Sequence, residues 1–140
     1  MGKTTVKKEE RVLLYQFPEE EVSLARDVFR ALRIRLQILP TDAWREKIGY
    51  LLGLKGYKAA PASQEDEYFD FPHRLLLLEN VQGKRLTKVL MALEEAGIPH
   101  IAYKSAITPY NTLWTLRYLC THMAKEHAAS AEAASQEGDI

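Results

Sequence analysis

The chain is short of several things that would otherwise narrow its chemistry. It has one cysteine, Cys120, in 140 residues. No internal disulfide can form, and that usage fits a reducing compartment. Its apolar runs are brief, the four leucines Leu75, Leu76, Leu77 and Leu78 among them. A membrane-spanning helix needs about 20. The opening Met1-Gly2-Lys3-Thr4-Thr5-Val6 has no apolar signal-peptide core. Val6 stands where myristoylation requires Ser or Thr. These absences predict a cytoplasmic protein with no membrane contact. The chain also has no Walker A loop, no Gly-X-Ser-X-Gly elbow and no distinctive pair of carboxylates. Nothing resembles an assembled catalytic set. The sequence leans away from an enzyme and calls for no catalytic residue, no cofactor and no metal.

What is present is ordinary for one globular domain, with 46% hydrophobic and 27% charged residues. Nineteen Lys and Arg balance nineteen Asp and Glu, but unevenly along the chain. Residues 59–73 carry Glu65, Asp66, Glu67 and Asp70 with no Lys or Arg, and residues 128–140 carry Glu132, Glu137 and Asp139 with none. The remaining body is basic, and a basic surface attracts anions. Solubility alone also accounts for such acidic segments.

Residues 1–10 are polar and expected to fray. Residues 11–17 (RVLLYQF) read as a strand. Pro18 then opens a helix, Glu19, Glu20 and Glu21 suit its positive end, and Val22, Ala25, Val28, Phe29 and Leu32 repeat at helical spacing. Residues 34–39 alternate as an edge strand closed by Pro40. Thr41 or Asp42 is positioned to cap a second helix with Trp44, Ile48, Leu51 and Leu52 on one side. Residues 59–73 are an acidic linker, whose aromatics Tyr68, Phe69 and Phe71 are expected to dock on the body. Residues 74–79 lack alternation, which predicts a central strand covered on both faces. A helix follows over about 83–96, stopped by Gly97. A fourth strand spans 100–107. Thr108 and Pro109 are read as the start of a last helix ending near His127. The organisation is a flexible N-terminus (1–10), one α/β domain (11–127) and a flexible acidic tail (128–140).

The two halves also match weakly in residues. Val12-Leu13-Leu14-Tyr15 parallels Leu75 to Leu78, Val28-Phe29-Arg30-Ala31-Leu32 parallels Val89-Leu90-Met91-Ala92-Leu93, and the segment leading to Trp44 parallels that leading to Trp114. This predicts a duplicated βαβα unit. Right-handed crossovers with the apolar strands one and three central give strand order 2-1-3-4. The expectation is an α/β fold, a small three-layer doubly wound sheet of four strands. The alternative is a mixed sheet whose halves are related by a pseudo-twofold axis.

One helix breaks a local rule. Lys84, Arg85 and Lys88 crowd the start of the third helix while Glu94 and Glu95 lie near its end, against the helix dipole. An anion bound at that start would offset the repulsion. The stretch from Asn80 through Gly83 and Lys84 offers backbone N–H groups and a cation. Lys104, Thr108, Asn111 and Trp114 follow at the next strand-to-helix junction. The predicted ligand-binding set is Asn80, Gly83, Lys84, Lys104, Thr108, Asn111 and Trp114, for a small anion. Helix capping is the simpler role for Thr108 and Asn111.

Arg26, Arg30 and Arg33 recur along the first helix. They could meet phosphates, but no recognised nucleic-acid motif accompanies them, and pairing of Asp27 with Arg30 is the plainer account. Nucleic acid is therefore an alternative and not the expected partner. A homodimer using the edge strand with Tyr68, Phe69 and Phe71 is the other partner considered. His122, Glu126 and His127 miss the zincin spacings and supply too few ligands for a metal.

Ala102-Tyr103-Lys104-Ser105-Ala106-Ile107-Thr108, followed by Asn111, Trp114 and Glu126-His127, resembles a bacterial domain family of unknown function. The likeness covers mainly residues 74–127, with Ile48-Gly49-Tyr50-Leu51-Leu52-Gly53 similar upstream. It implies a small cytoplasmic bacterial protein and assigns no activity. Lys104, Thr108, Asn111 and Trp114 are the positions it singles out.

Overall fold

The computed structural model describes residues 8–61 and 68–137. Residues 1–7 of the predicted frayed start (1–10), the acidic residues Glu65, Asp66 and Glu67, and residues 138–140 of the predicted tail lie outside the described residues. The chain forms two interleaved compact units, Met1–Pro40 with His73–Thr108, and Thr41–Pro72 with Pro109–Ile140.

The first unit holds one sheet and two helices. Its elements are β1 (Arg11–Tyr15), α1 (Glu19–Leu32), β2 (Arg35–Ile38), β3 (Leu75–Glu79), α3 (Lys84–Glu95) and β4 (Tyr103–Ala106). The strand order is β2-β1-β3-β4. The unalternating apolar strands β1 and β3 are central, and the alternating β2 is an edge, as the sequence predicts. The sheet is mixed: β1 runs parallel to β2 and β3 parallel to β4, but β1 and β3 are antiparallel. This is the pseudo-twofold alternative rather than the all-parallel, doubly wound sheet. The reversal has a consequence for the helices. With right-handed crossovers on both sides, an antiparallel centre puts α1 and α3 on one face, whereas an all-parallel sheet would have put them on opposite faces. They do share a core: Val12, Leu14, Leu76 and Leu78 of the sheet pack with Ala25 and Phe29 of α1 and Val89 and Leu93 of α3. Truncating Phe29, which is 1% exposed, would cost about 3–5 kcal/mol. Arg11 ties the centre together, donating to Glu79 at 3.1 Å on β3 and to Gln37 at 3.2 Å on β2.

The two halves correspond closely. Gln16 after β1 and Asn80 after β3 both take left-handed φ, 63° and 59°. Arg33 and Gly97 do so after α1 and α3, and the next residues, Ile34 and Ile98, donate to Phe29 and Leu93 carbonyls at 2.9 and 3.1 Å. These are matching helix C-caps. Leu39 N–H donates to Leu14 and Ile107 N–H to Leu78, at 2.9 and 2.8 Å. The equivalences pair Val12 with Leu76 and Ala25 with Val89, which shifts the residue matches predicted from sequence. Within this unit the halves diverge before the last strand: Gly97 is separated from β4 by four more residues than Arg33 from β2.

The second unit repeats the correspondence. A 3-10 turn (Ala43–Arg45) precedes a short α2 (Ile48–Leu51), and a second 3-10 turn (Asn111–Leu113) precedes α4 (Leu116–Glu137). Between turn and helix, both chains are extended and pair. Ile48 N–H donates to the Trp114 carbonyl and Leu116 N–H to the Glu46 carbonyl, each at 2.9 Å, around an antiparallel bridge of Lys47 and Thr115. Glu46, not Trp44, is therefore the counterpart of Trp114. The extended pairing also delays both helices. Thr41 and Asp42 do not cap α2, and Thr108 does not cap α4; Thr115 Oγ1 instead accepts from Tyr118 N–H at 3.1 Å. At its far end α4 continues to Glu137, past the stop predicted near His127, carried by helix-favouring alanines. Phe69 and Phe71 do dock, as predicted. Phe69 lies 5.6 Å from the Trp44 ring and 6.1 Å from Phe71, which is buried. Tyr68 is exposed.

Candidate functional site

The predicted ligand-binding residues fall into three places. Gly83 ends the turn after β3 and Thr108 follows β4. Because β3 and β4 are parallel, both lie at the carboxyl edge of that strand pair in the first unit. Gly83 has φ 61° and ψ −133°, a conformation that favours glycine. Lys84 beside it is exposed. Asn80 is committed to the turn, its side-chain amide donating to the Glu9 carbonyl at 2.9 Å. The charge crowding at α3 is met partly from within the chain. Arg85 makes a two-pronged pair with Glu10, at 2.9 and 3.1 Å, and donates to the Leu32 carbonyl at 2.6 Å. Such fork pairing is strong and directional.

Lys104 is not at that edge. Its ammonium donates to the Ile101 carbonyl at 2.5 Å, which turns it toward the amino end of β4. There it lines a cavity of about 180 Å³ with α3 and the loop before β4. Asn111 and Trp114 belong to the second unit. Asn111 is buried in the 3-10 turn, where its carbonyl accepts from Trp114 N–H at 3.1 Å. Trp114 meets Tyr118 and His122 edge-on at 4.9 and 5.9 Å.

Arg26 and Arg30 are exposed on α1, and Arg30 lies 3.6 Å from Asp27. Arg33 is the left-handed cap residue, so it leaves the helical stripe. His122 pairs with Glu126 at 3.1 Å. Among the described residues, no group of three or more His, Cys, Asp and Glu could hold a metal, and no helix is long and apolar enough to cross a membrane. Cys120 is wholly buried, and burial pushes its thiol up to about 12. It is a packing residue, not a nucleophile.

A concavity in the second unit was not singled out by the sequence. It is a cleft of about 610 Å³ between the loop after α2 and the Lys47–Thr115 bridge. Arg45, Lys47, Lys55 and Lys58 line it, with no Asp or Glu among its described lining residues. Its volume is in the range of small-molecule sites. Two contacts hold the loop wall in place. The Tyr57 ring lies against the backbone of Gly49, and its hydroxyl is 3.1 Å from Thr112 Oγ1. Glu46 accepts the Ala60 N–H at 2.5 Å. Only a turn brings Lys55 and Lys58 back toward Lys47, and Gly53 and Gly56 make it with φ 76° and 90°. The signal that could have found the cleft is this glycine pair set among lysines.

No curated protein and no solved structure matches the chain. Residues 74–129 match the family model described as Domain of unknown function (DUF3783).

Proposed function

We propose that the protein is a non-enzymatic binding or regulatory module for a small anionic ligand, held in the basic cleft of the second unit. The observation that carries this reading is the lining itself: four cations, Arg45, Lys47, Lys55 and Lys58, and no acidic residue among those described. Clustered like charge raises the local concentration of anions and strengthens each contact with them. Leu113, Pro61 and the alanines 59 and 60 give the same cleft an apolar wall, which suits a ligand with an organic body beside its charge. A cytoplasmic setting accords with the single buried thiol, a bacterial origin rests on the resemblance of residues 74–127 alone, and the correspondence of the halves accords with duplication of an ancestral βαβα unit.

The test uses pyrophosphate as probe and amide NMR as readout. Shifts are expected at 55–60, Leu113 and Thr115. The triple variant Lys47→Glu, Lys55→Glu, Lys58→Glu, which changes only exposed side chains, should lose them. No shift at about 10 mM pyrophosphate, far above a micromolar or even millimolar Kd, would overturn the reading. So would shifts that survive the triple substitution.

A further inference from the structure

The two halves of the first unit differ where Pro99, His100, Ile101 and Ala102 lengthen the chain between α3 and β4. The lengthening creates a cavity. Leu90 and Leu93 of α3 form one wall and Ile98 and Ile101 of the loop another, enclosing about 180 Å³. The loop is held from outside by Arg74, which donates to the Pro99 and His100 carbonyls at 3.2 and 2.6 Å while pairing with Glu21 at 2.7 Å. An apolar cavity of roughly 150 Å³ is enough to admit benzene, so the space is sized for a six-membered ring.

The polar groups at this cavity are few. Lys104 is half-buried and its ammonium is met by one neutral carbonyl, that of Ile101. An ammonium has three donors, and no carboxylate of the described residues is in ion-pair contact with this one. A carboxylate seated beside it would gain charge-assisted hydrogen bonds. Glu94 also lines the cavity and would repel a second negative charge. His100 stands at the exposed rim.

We infer that this cavity binds a small aromatic or branched aliphatic monocarboxylate, its apolar body between Leu90, Leu93, Ile98 and Ile101 and its carboxylate on Lys104. The site is separate from the basic cleft in residues and in ligand: the cleft would take multiply charged anions, whereas this cavity takes a single charge and excludes a second.

Benzoate, its neutral counterpart benzamide and its doubly charged counterpart phthalate are the probes, read by methyl NMR of the intact protein. Benzoate is expected to shift the methyls of Leu90, Leu93, Ile98 and Ile101 with a millimolar Kd. Benzamide and phthalate should bind about tenfold more weakly or worse, in line with losing a charged hydrogen bond or meeting a like charge. Lys104→Met should remove the preference for benzoate over benzamide, and Glu94→Gln should narrow the gap between benzoate and phthalate. Absence of methyl shifts at about 20 mM benzoate, well beyond a millimolar Kd, overturns the inference, as does equal binding of benzoate and benzamide. Should Lys104→Met fail to fold, the benzoate-to-benzamide ratio on the unaltered chain decides the matter alone. The triple cleft variant should bind benzoate normally, which keeps failure here distinct from failure of the pyrophosphate reading.

Discussion

Replacing Gly49 with alanine probes the wall of the basic cleft with a single methyl group. Gly49 is buried in α2, in ordinary helical backbone, so alanine is favoured locally by up to about 1 kcal/mol. Its Cβ, however, would lie 2.2 Å from Tyr57 Cζ, 2.4 Å from Cε2 and 2.6 Å from Cε1. Carbon atoms rest at roughly 3.5–4.0 Å, so the ring must retreat by more than about 1 Å. Overpacking of this kind costs about 1–3 kcal/mol. Retreat also breaks the 3.1 Å bond from Tyr57 to Thr112, worth about 0.5–1.5 kcal/mol. The net expectation is a loss of about 1–3 kcal/mol, measured by urea denaturation, together with weaker pyrophosphate binding because Tyr57 anchors the lysine-bearing loop. A double-mutant cycle isolates the cause. In a Tyr57→Ala background the obstructing ring is gone, and Gly49→Ala should stabilise the protein by up to about 1 kcal/mol. An equal cost in both backgrounds, or no cost in the parent, would refute the reasoning.

Three further outcomes are expected. Burial holds the Cys120 thiol protonated up to about 12, against 9.0 when free. Its alkylation at pH 8 should be slower than that of an exposed cysteine by about a thousandfold, with full reactivity in denaturant. The unfolded chain would ionise near 9 while the folded chain would not, so stability should be undiminished below pH 9. It should then fall by up to about 1.4 kcal/mol per pH unit between 9 and 12; a flat profile over that window would contradict the burial. Arg33 caps α1 at φ 58° where the other half has Gly97 at φ 93°. Arg33→Gly should raise the midpoint of thermal unfolding, gaining about 0.5 kcal/mol from relief of the left-handed strain less the added chain entropy.

Much of the fold was legible because it depends on local pattern. Leu75 to Leu78 have no polar face, so their strand had to be central, and Pro18 with Glu19, Glu20 and Glu21 marks the start of α1 without ambiguity. Strand direction was not legible. A run of four leucines offers the same apolar surface either way up, and the connection after β2 is long enough to deliver it in either sense. The residue matches slipped for a related reason. A helix displaced by three residues keeps the same apolar face, so Val28 matches Val89 in sequence although Ala25 occupies its place in the structure. The helix starts at Thr41 and Thr108 were misread because capping chemistry is local, whereas the pairing of Glu46 and Trp114 with Leu116 and Ile48 comes from a segment nearly seventy positions away. The site was least legible. Lys104 stands in the predicted strand, but the direction of its ammonium is set by the Ile101 carbonyl, and the lysines of the cleft meet only through the turn at Gly53 and Gly56.

The recognised stretch, residues 74–129, contains β3 and β4 but neither β1 nor β2. Excised at those limits, the sheet would be cut down its middle, and β3 would lose the hydrogen-bonding neighbour that runs alongside it from Leu75 to Glu79. That bare flank is self-complementary, since the lost partner is the antiparallel equivalent of β3 itself. Two copies of the fragment could therefore mend the gap by pairing with each other.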